Sequence, residues 1–282
     1  LNGFAETVGS IAGGGGITLG TATLTAGGNN SDTSFSGVLA GTGGLTKTGT
    51  GTLTLSGANT FTVATRVSAG SLKSGAAGVL HDSSALTIDA GAAWDLAGNN
   101  ETVASIAGAG QIQLGAATLT AGGNNSSTTF SGVISQTGGL TKVGTGTLTL
   151  SGVNTYEGST VISGGTLAIS HASGLGSAAG GTTVSNGAAL DLVGVDVVGE
   201  SLSLAGGTFK DATSSWSGSI LLSASSFIEV GSGDTLTISG VIADGGNGYG
   251  ITKLGAGTVV LSADNTYSGG STISAGLAQL GH

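Results

Sequence analysis

One sentence of sequence is written three times in this chain: LTKTGTGTLTLSGANTFTVATRVSAGSL from Leu45, LTKVGTGTLTLSGVNTYEGSTVISGGTL from Leu140, and ITKLGAGTVVLSADNTYSGGSTISAGLA from Ile251. Each copy is built from short apolar and Thr/Ser positions between Gly-rich turns. Self-similarity of this kind belongs to stacked repeats, in which every unit touches only its neighbours. The expectation is a rod rather than a closed globule.

The first two copies sit inside a longer duplication. Glu6 matches Glu101, the GGNN at Gly27–Asn30 matches that at Gly122–Asn125, and Lys47 matches Lys142, always 95 positions apart. The units therefore read as 1–95, 96–191 and a divergent 192–282, all within one continuous segment. Between Leu192 and Gly248 little of the earlier wording survives. The motif then returns 111 residues on, with Lys253 against Lys142, so that roughly one coil's worth of sequence is expected to have been added.

Within the copies, Thr52–Leu55, Thr147–Leu150 and Thr258–Leu261 are strand-forming runs, the first two with period-2 alternation. Thr21–Thr25, Ala85–Ile88, Gln111–Leu114 and Thr235–Ile238 follow the same pattern, with apolar side chains expected inward and hydroxyls or amides outward. No window carries a capped helical period. An up-and-down barrel would give no reason for near-identical long units. A parallel β-helix gives one: coils of about 20–24 residues stack at about 4.8 Å, which predicts 12–14 coils and a rod of about 60 Å. The fold class expected is all-β, with like residues falling above like, and Gly and Asn at the corners.

Composition sets further bounds. The chain has 58 Gly, no Pro, Cys or Met, 7 % charged residues and 4 % aromatic residues, whereas ordinary domains have about 25 % charged residues. No apolar run approaches the length of a spanning helix, so membrane insertion of this chain is not expected. A net charge of −9 with six basic residues disfavours nucleic acid, whose phosphates would be repelled.

The motif LTKxGxGTLTLSGxNTYxGxTxIxxGTL resembles the autotransporter-associated β-strand repeat, the passenger-associated transport repeat of type V secreted bacterial proteins. The middle copy is nearly ideal. The first has Thr62–Thr65 where the family has YxGxT, and the third ends in Leu277–Ala278 rather than Gly-Thr-Leu. The resemblance implies a right-handed parallel β-helix, export across the outer membrane, display on the extracellular Gram-negative cell surface, and a translocator barrel as partner. With neither signal peptide nor initiating Met, the chain reads as an internal fragment of a longer surface protein. Absence of Cys is compatible with passage through the periplasm.

Several side chains invite chemistry. Lys47, Lys142 and Lys253 stand beside Gly-x-Gly and read as structural, donating to carbonyls at coil corners; copies so far apart cannot converge on one site. Asn59, Asn154 and Asn265 read as turn residues, and Phe61, Tyr156 and Tyr267 as packing residues. Gly231–Leu236 and Asp244–Gly248 approach a calcium-binding β-roll turn but do not recur in tandem, so no metal is expected. Carboxylates occur as Asp82, Asp89 and Asp95, and as Asp191, Asp196 and Glu200. Arg66 is the sole arginine, and this scatter does not suit a polysaccharide lyase or hydrolase. His81, His171 and His282 lack a nucleophilic serine context. Gly13–Gly16 is not followed by Lys-Ser/Thr, so it is not a phosphate loop. Trp94 corresponds to Leu190 in the next unit and should be buried. Trp216, set among serines, should be exposed and is the candidate contact residue. Neither enzymatic activity nor a cofactor is expected. The expected role is a structural stalk of a surface passenger that supports display and adhesion. The alternative is an adhesin or self-association module whose region 192–248 grips a host or matrix glycan or protein, or a neighbouring copy.

Overall fold

The computed structural model describes Leu1 and residues 3–281; Asn2 and His282, one of the three histidines considered above, lie outside the described residues. Among the described residues there is no helix. Among these residues short strands pair in parallel ladders, with an isolated antiparallel bridge between Ser185 and Gly206 outside them. The chain is a β-solenoid of about 14 turns, as its sequence predicts. Stacking of coils at about 4.8 Å makes it about 60 Å long.

Each coil visits three sides in fixed order. The first side is one 14-stranded sheet from Glu6–Val8 to Ser271–Ile273. The second carries a six-stranded sheet that begins at Thr33–Phe35 and, further along, a five-stranded sheet that begins at Asp196–Val197. The third carries the pair Ile17–Gly20 and Leu39–Gly41, then an eight-stranded sheet from Glu101–Val103 to Ile242–Ala243. Coil length varies, from the 18 residues separating Glu6 and Leu24 to the 25 separating Ile228 and Lys253.

Period-2 alternation explains the core. Thr52–Leu55, Ala85–Ile88, Thr147–Leu150 and Thr258–Leu261 each bury their second and fourth residues. The strands near Thr21 and Gln111 are shorter than their sequence pattern, running Leu24–Ala26 and Gln111–Gln113. Inward residues form ladders, for example Leu53, Leu72, Trp94, Ile112 and Ile134 on the second side. Every member is at most 3 % exposed, and burial of each such side chain stabilises by about 1.5–3 kcal/mol. Trp216 is a correction to the sequence reading. It is fully buried, in edge-on contact with Phe209 at 5.3 Å between ring centroids. Its serine neighbours do not mark a surface, because Ser214 shares its inward parity and takes up the Val195 amide.

The three motif copies do not occupy the same side. The Lys-bearing strand lies on the first side in copy one (Leu45–Lys47), the third in copy two (Gly139–Lys142) and the first again in copy three (Ile251–Leu254). The following Thr-Leu strand falls on the second, first and second sides respectively. The 95-residue step therefore spans four and two-thirds coils, and the 111-residue step spans five and one-third. Like residues stack on like within a ladder of neighbouring coils, but successive copies are rotated by one side, so that the first and third share a side. The divergent unit has gained two-thirds of a coil rather than a whole one.

Candidate functional site: the coil-to-coil anchors of the motif

The motif lysines are on the inward parity of their strands and at most 2 % exposed. Each ammonium ion sits in a cage of three carbonyls, two from its own turn and one from the next coil. Lys47 Nζ donates to Thr48 O (2.7 Å), Gly49 O (2.8 Å) and Ala69 O (3.2 Å). Lys142 Nζ donates to Val143 O (2.7 Å), Gly144 O (3.1 Å) and Gly164 O (3.2 Å). Lys253 Nζ donates to Leu254 O (2.6 Å), Gly255 O (2.8 Å) and Ala275 O (3.4 Å). Burial lowers all three amines from their ordinary values, and the carbonyl dipoles take the place of a counter-ion. The turn of the preceding coil closes against this cage through Gly27 or Gly122. Both have strongly positive φ (113° and 118°), and a Cβ on either would drive into the Thr48 or Val143 carbonyl.

The motif asparagines bridge coils in both directions. Asn59 Oδ1 accepts from Leu39 N (2.8 Å) and its Nδ2 donates to Val79 O (2.7 Å). Asn154 repeats this between Ile134 N (2.9 Å) and Gly174 O (2.8 Å), and Asn265 Oδ1 accepts from Ile242 N (2.8 Å). This is the side of each motif coil where the backbone does not form a ladder, so the carboxamide supplies the missing links. Tyr156 is buried with its hydroxyl 2.6 Å from Thr160 Oγ1, and Tyr267 reaches Ser271 Oγ at 2.5 Å. Phe61 has no hydroxyl, and Thr65 Oγ1 meets Ser84 Oγ at 2.9 Å instead.

The remaining basic residues also tie neighbouring coils. Arg66 pairs with Asp89 (2.7 Å), Lys73 with Asp95 (3.1 Å) and Lys210 with Glu229 (3.2 Å). All six basic residues of the chain thus reach across to the following coil.

The carboxylates grouped in the sequence are dispersed by the fold. Asp191 faces outward on the first side, Asp196 outward on the second beside Ser215 (2.7 Å), and Glu200 is buried and accepts from Thr182 Oγ1 (2.8 Å). Burial raises the Asp191 and Glu200 carboxyls. Among the described residues no three His, Asp or Glu side chains gather as a metal set. The calcium-like turn is occupied from within. Asp244 accepts from the amides of Gly246, Gly248, Tyr249 and Ser268 and from Ser268 Oγ (2.7 Å), which holds it well below the usual carboxylate range.

Two anchors escaped the sequence reading. Glu101, 2 % exposed, accepts from Val79 N (3.1 Å) and Leu80 N (3.5 Å), and desolvation raises its carboxyl to about 7. Its correspondence with Glu6, which is exposed, concealed this. Asn30 and Asn125 adopt positive φ (62° and 60°), and each Oδ1 takes an amide of the next coil, at Thr50 or Thr145.

These anchors coincide with a known repeat. The family model of the passenger-associated-transport-repeat matches residues 45–73, 140–169 and 251–277. The chain carries three passenger-associated transport repeats. Over 50 residues it is also 48 % identical to the adhesin BmaC autotransporter of Brucella suis biovar 1 (strain 1330), a match that covers 18 % of this chain and 1 % of that relative. No solved structure matches the chain. The matched repeats are named for passenger-associated transport, and the relative that shares the 50 residues is an autotransporter adhesin of which this chain spans about 1 %. No helix among the described residues is long and apolar enough to cross a membrane. Within each repeat, the Lys cage and the Asn bridge are the devices that attach one coil to the next.

Proposed function

We propose that this passenger sequence is a non-enzymatic scaffold, a stalk that holds other parts of its protein away from the cell surface. The observation that carries this reading is that all six basic side chains and the three motif asparagines are committed to ties between neighbouring coils. Such ties stiffen a rod and leave no uncommitted Lys or Arg side chain to grip an acidic ligand. In the same reading, each coil that folds outside the cell covers the open edge of the one before it, and the growing stack resists return of the chain through the translocator.

The test is a deletion that respects the coil register. Leu190, Phe209, Ile228 and Lys253 occupy one ladder, so removal of residues 190–252 excises three whole coils and joins Ala189 to Lys253 in phase. In the full-length protein, display and attachment are measured separately. A scaffold predicts that both survive. Loss of attachment with intact display would overturn the reading and assign binding to the excised coils.

A further inference from the structure

We propose that two copies of the rod pack side by side through the eight-stranded sheet of the third side. The outward ladder of that sheet runs Thr102, Thr120, Thr141, Val161, Thr183, Ser203, Leu221 and Ala243, one residue per coil. None of them is charged. The other two sides are different: Arg66, Asp191, Lys210 and Glu229 project from the first, and Lys73, Asp95 and Asp196 from the second. Two rods that each carry a net charge of −9 repel wherever carboxylates face one another. The third side is where they approach with least penalty, and this charge pattern selects a second copy of the chain as the occupant.

Shape supports the same partner. A shallow trough of about 360 Å³, floored by Gly181, Ser201 and Ser203, lies beside Leu221. Leu221 is 48 % exposed, and Val241 on the same side is 42 % exposed. Ser203 stands midway between Thr183 and Leu221 in the ladder. A two-fold axis at the Ser203 coil therefore sets Leu221 of each rod over the Thr183 and Gly181 end of the other's trough. This is a self-complementary contact of the kind closed dimers use. With the axis there, the five coils from Val161 to Ala243 face one another and offer about 220–250 Å² per rod, about a third of what a stable dimer buries on each partner. The contact is therefore weak and reversible for one segment and strengthens where more coils run together.

The experiment is small-angle X-ray scattering and sedimentation of the 282-residue chain over a concentration series at low and high NaCl. The expected result is a reversible dimer of unchanged length and increased cross-section, strengthened by salt because like charges are screened. Leu221→Asp, and independently Val161→Glu three coils away, should weaken it by about tenfold or more by setting carboxylates in the contact. Phe227→Asp, on the first side and 38 % exposed, should leave it unchanged. Monomer at every concentration and salt would overturn the proposal. So would a dimer of doubled length, which signals end-to-end stacking, or one lost with Phe227→Asp and kept with Leu221→Asp.

Discussion

Asn59 and Glu101 hold the same residue from opposite directions: the Asn59 amide donates to the Val79 carbonyl at 2.7 Å, and the Glu101 carboxyl accepts from the Val79 amide at 3.1 Å. The loop between them, on the side where no ladder forms, is thus clamped by one coil below and one above. The repeat supplies the first clamp and the junction of the two long units supplies the second.

The two clamps differ in what they ask of pH. The Glu101 carboxyl is raised from 4.5 to about 7, chiefly by burial, with Asp82 adding like-charge repulsion; its own partners, Val79 N, Leu80 N and Ser74, carry no positive charge. The folded state therefore binds more protons than the unfolded state between these values. Its favourable contribution is full below pH 4.5 and is lost as pH rises towards 7, by about 3 kcal/mol at most. Glu101→Gln should flatten this part of the stability profile and raise the unfolding free energy at pH 8 by about 1–3 kcal/mol. Denaturant midpoints between pH 4 and 8 check it. Asp244 has the opposite sign, because its depressed carboxyl stabilises above the ordinary Asp range and is lost only in strong acid.

The Lys cage is specific for a compact ammonium ion. Lys142→Met leaves the carbonyls of Val143, Gly144 and Gly164 without their donor and should cost about 2–4 kcal/mol. Lys142→Arg should fare no better, since a planar fork cannot reproduce three converging bonds. Chemical denaturation of the two variants beside the parent chain gives the comparison; a near-neutral Arg variant would show that charge alone suffices.

Asn154 serves two coils at once. Asn154→Ala orphans Ile134 N and Gly174 O in a buried setting and should cost about 2–4 kcal/mol. Asn154→Asp keeps the acceptor but sets a carboxylate against a carbonyl, so it should be no milder at neutral pH. Hydrogen exchange at the Ile134 amide distinguishes them, with fast exchange expected in the Ala variant and residual protection in the Asp variant.

The two tryptophans should respond differently to loss of the indole N–H. Trp94 Nε1 donates to Ser74 Oγ at 3.2 Å, whereas buried Trp216 Nε1 has no partner. Trp94→Phe should destabilise by about 1–3 kcal/mol, while Trp216→Phe, which removes an unpaired donor, should be milder by about 1 kcal/mol or more. Thermal unfolding of the pair decides the order.

Alternation made the strands readable: Thr147–Leu150 shows its inward leucines directly, and three recurrences of one pattern implied a stack. Lys47 was harder, because parity puts it inward with Leu45 while charge argues outward. Only the carbonyls brought round by the next turn resolve that conflict. Trp216 runs against its serine-rich context, because serine reads as a surface residue whereas Ser214 and Ser226 are buried and bonded to backbone groups. The side occupied by each repeat was invisible, since coil length varies and phase depends on the accumulated total.

That accumulated phase makes spacing a steering parameter. A passenger-associated transport repeat carries its own fastenings wherever it falls, so the length of chain between repeats is free to set the compass bearing on which each one faces. Insertion of a third of a coil upstream would re-aim every later feature by one side without altering a single contact within it. Lengthening such a gene by duplication therefore also turns the rod like a screw thread, and presents the same surface in successive directions around its axis.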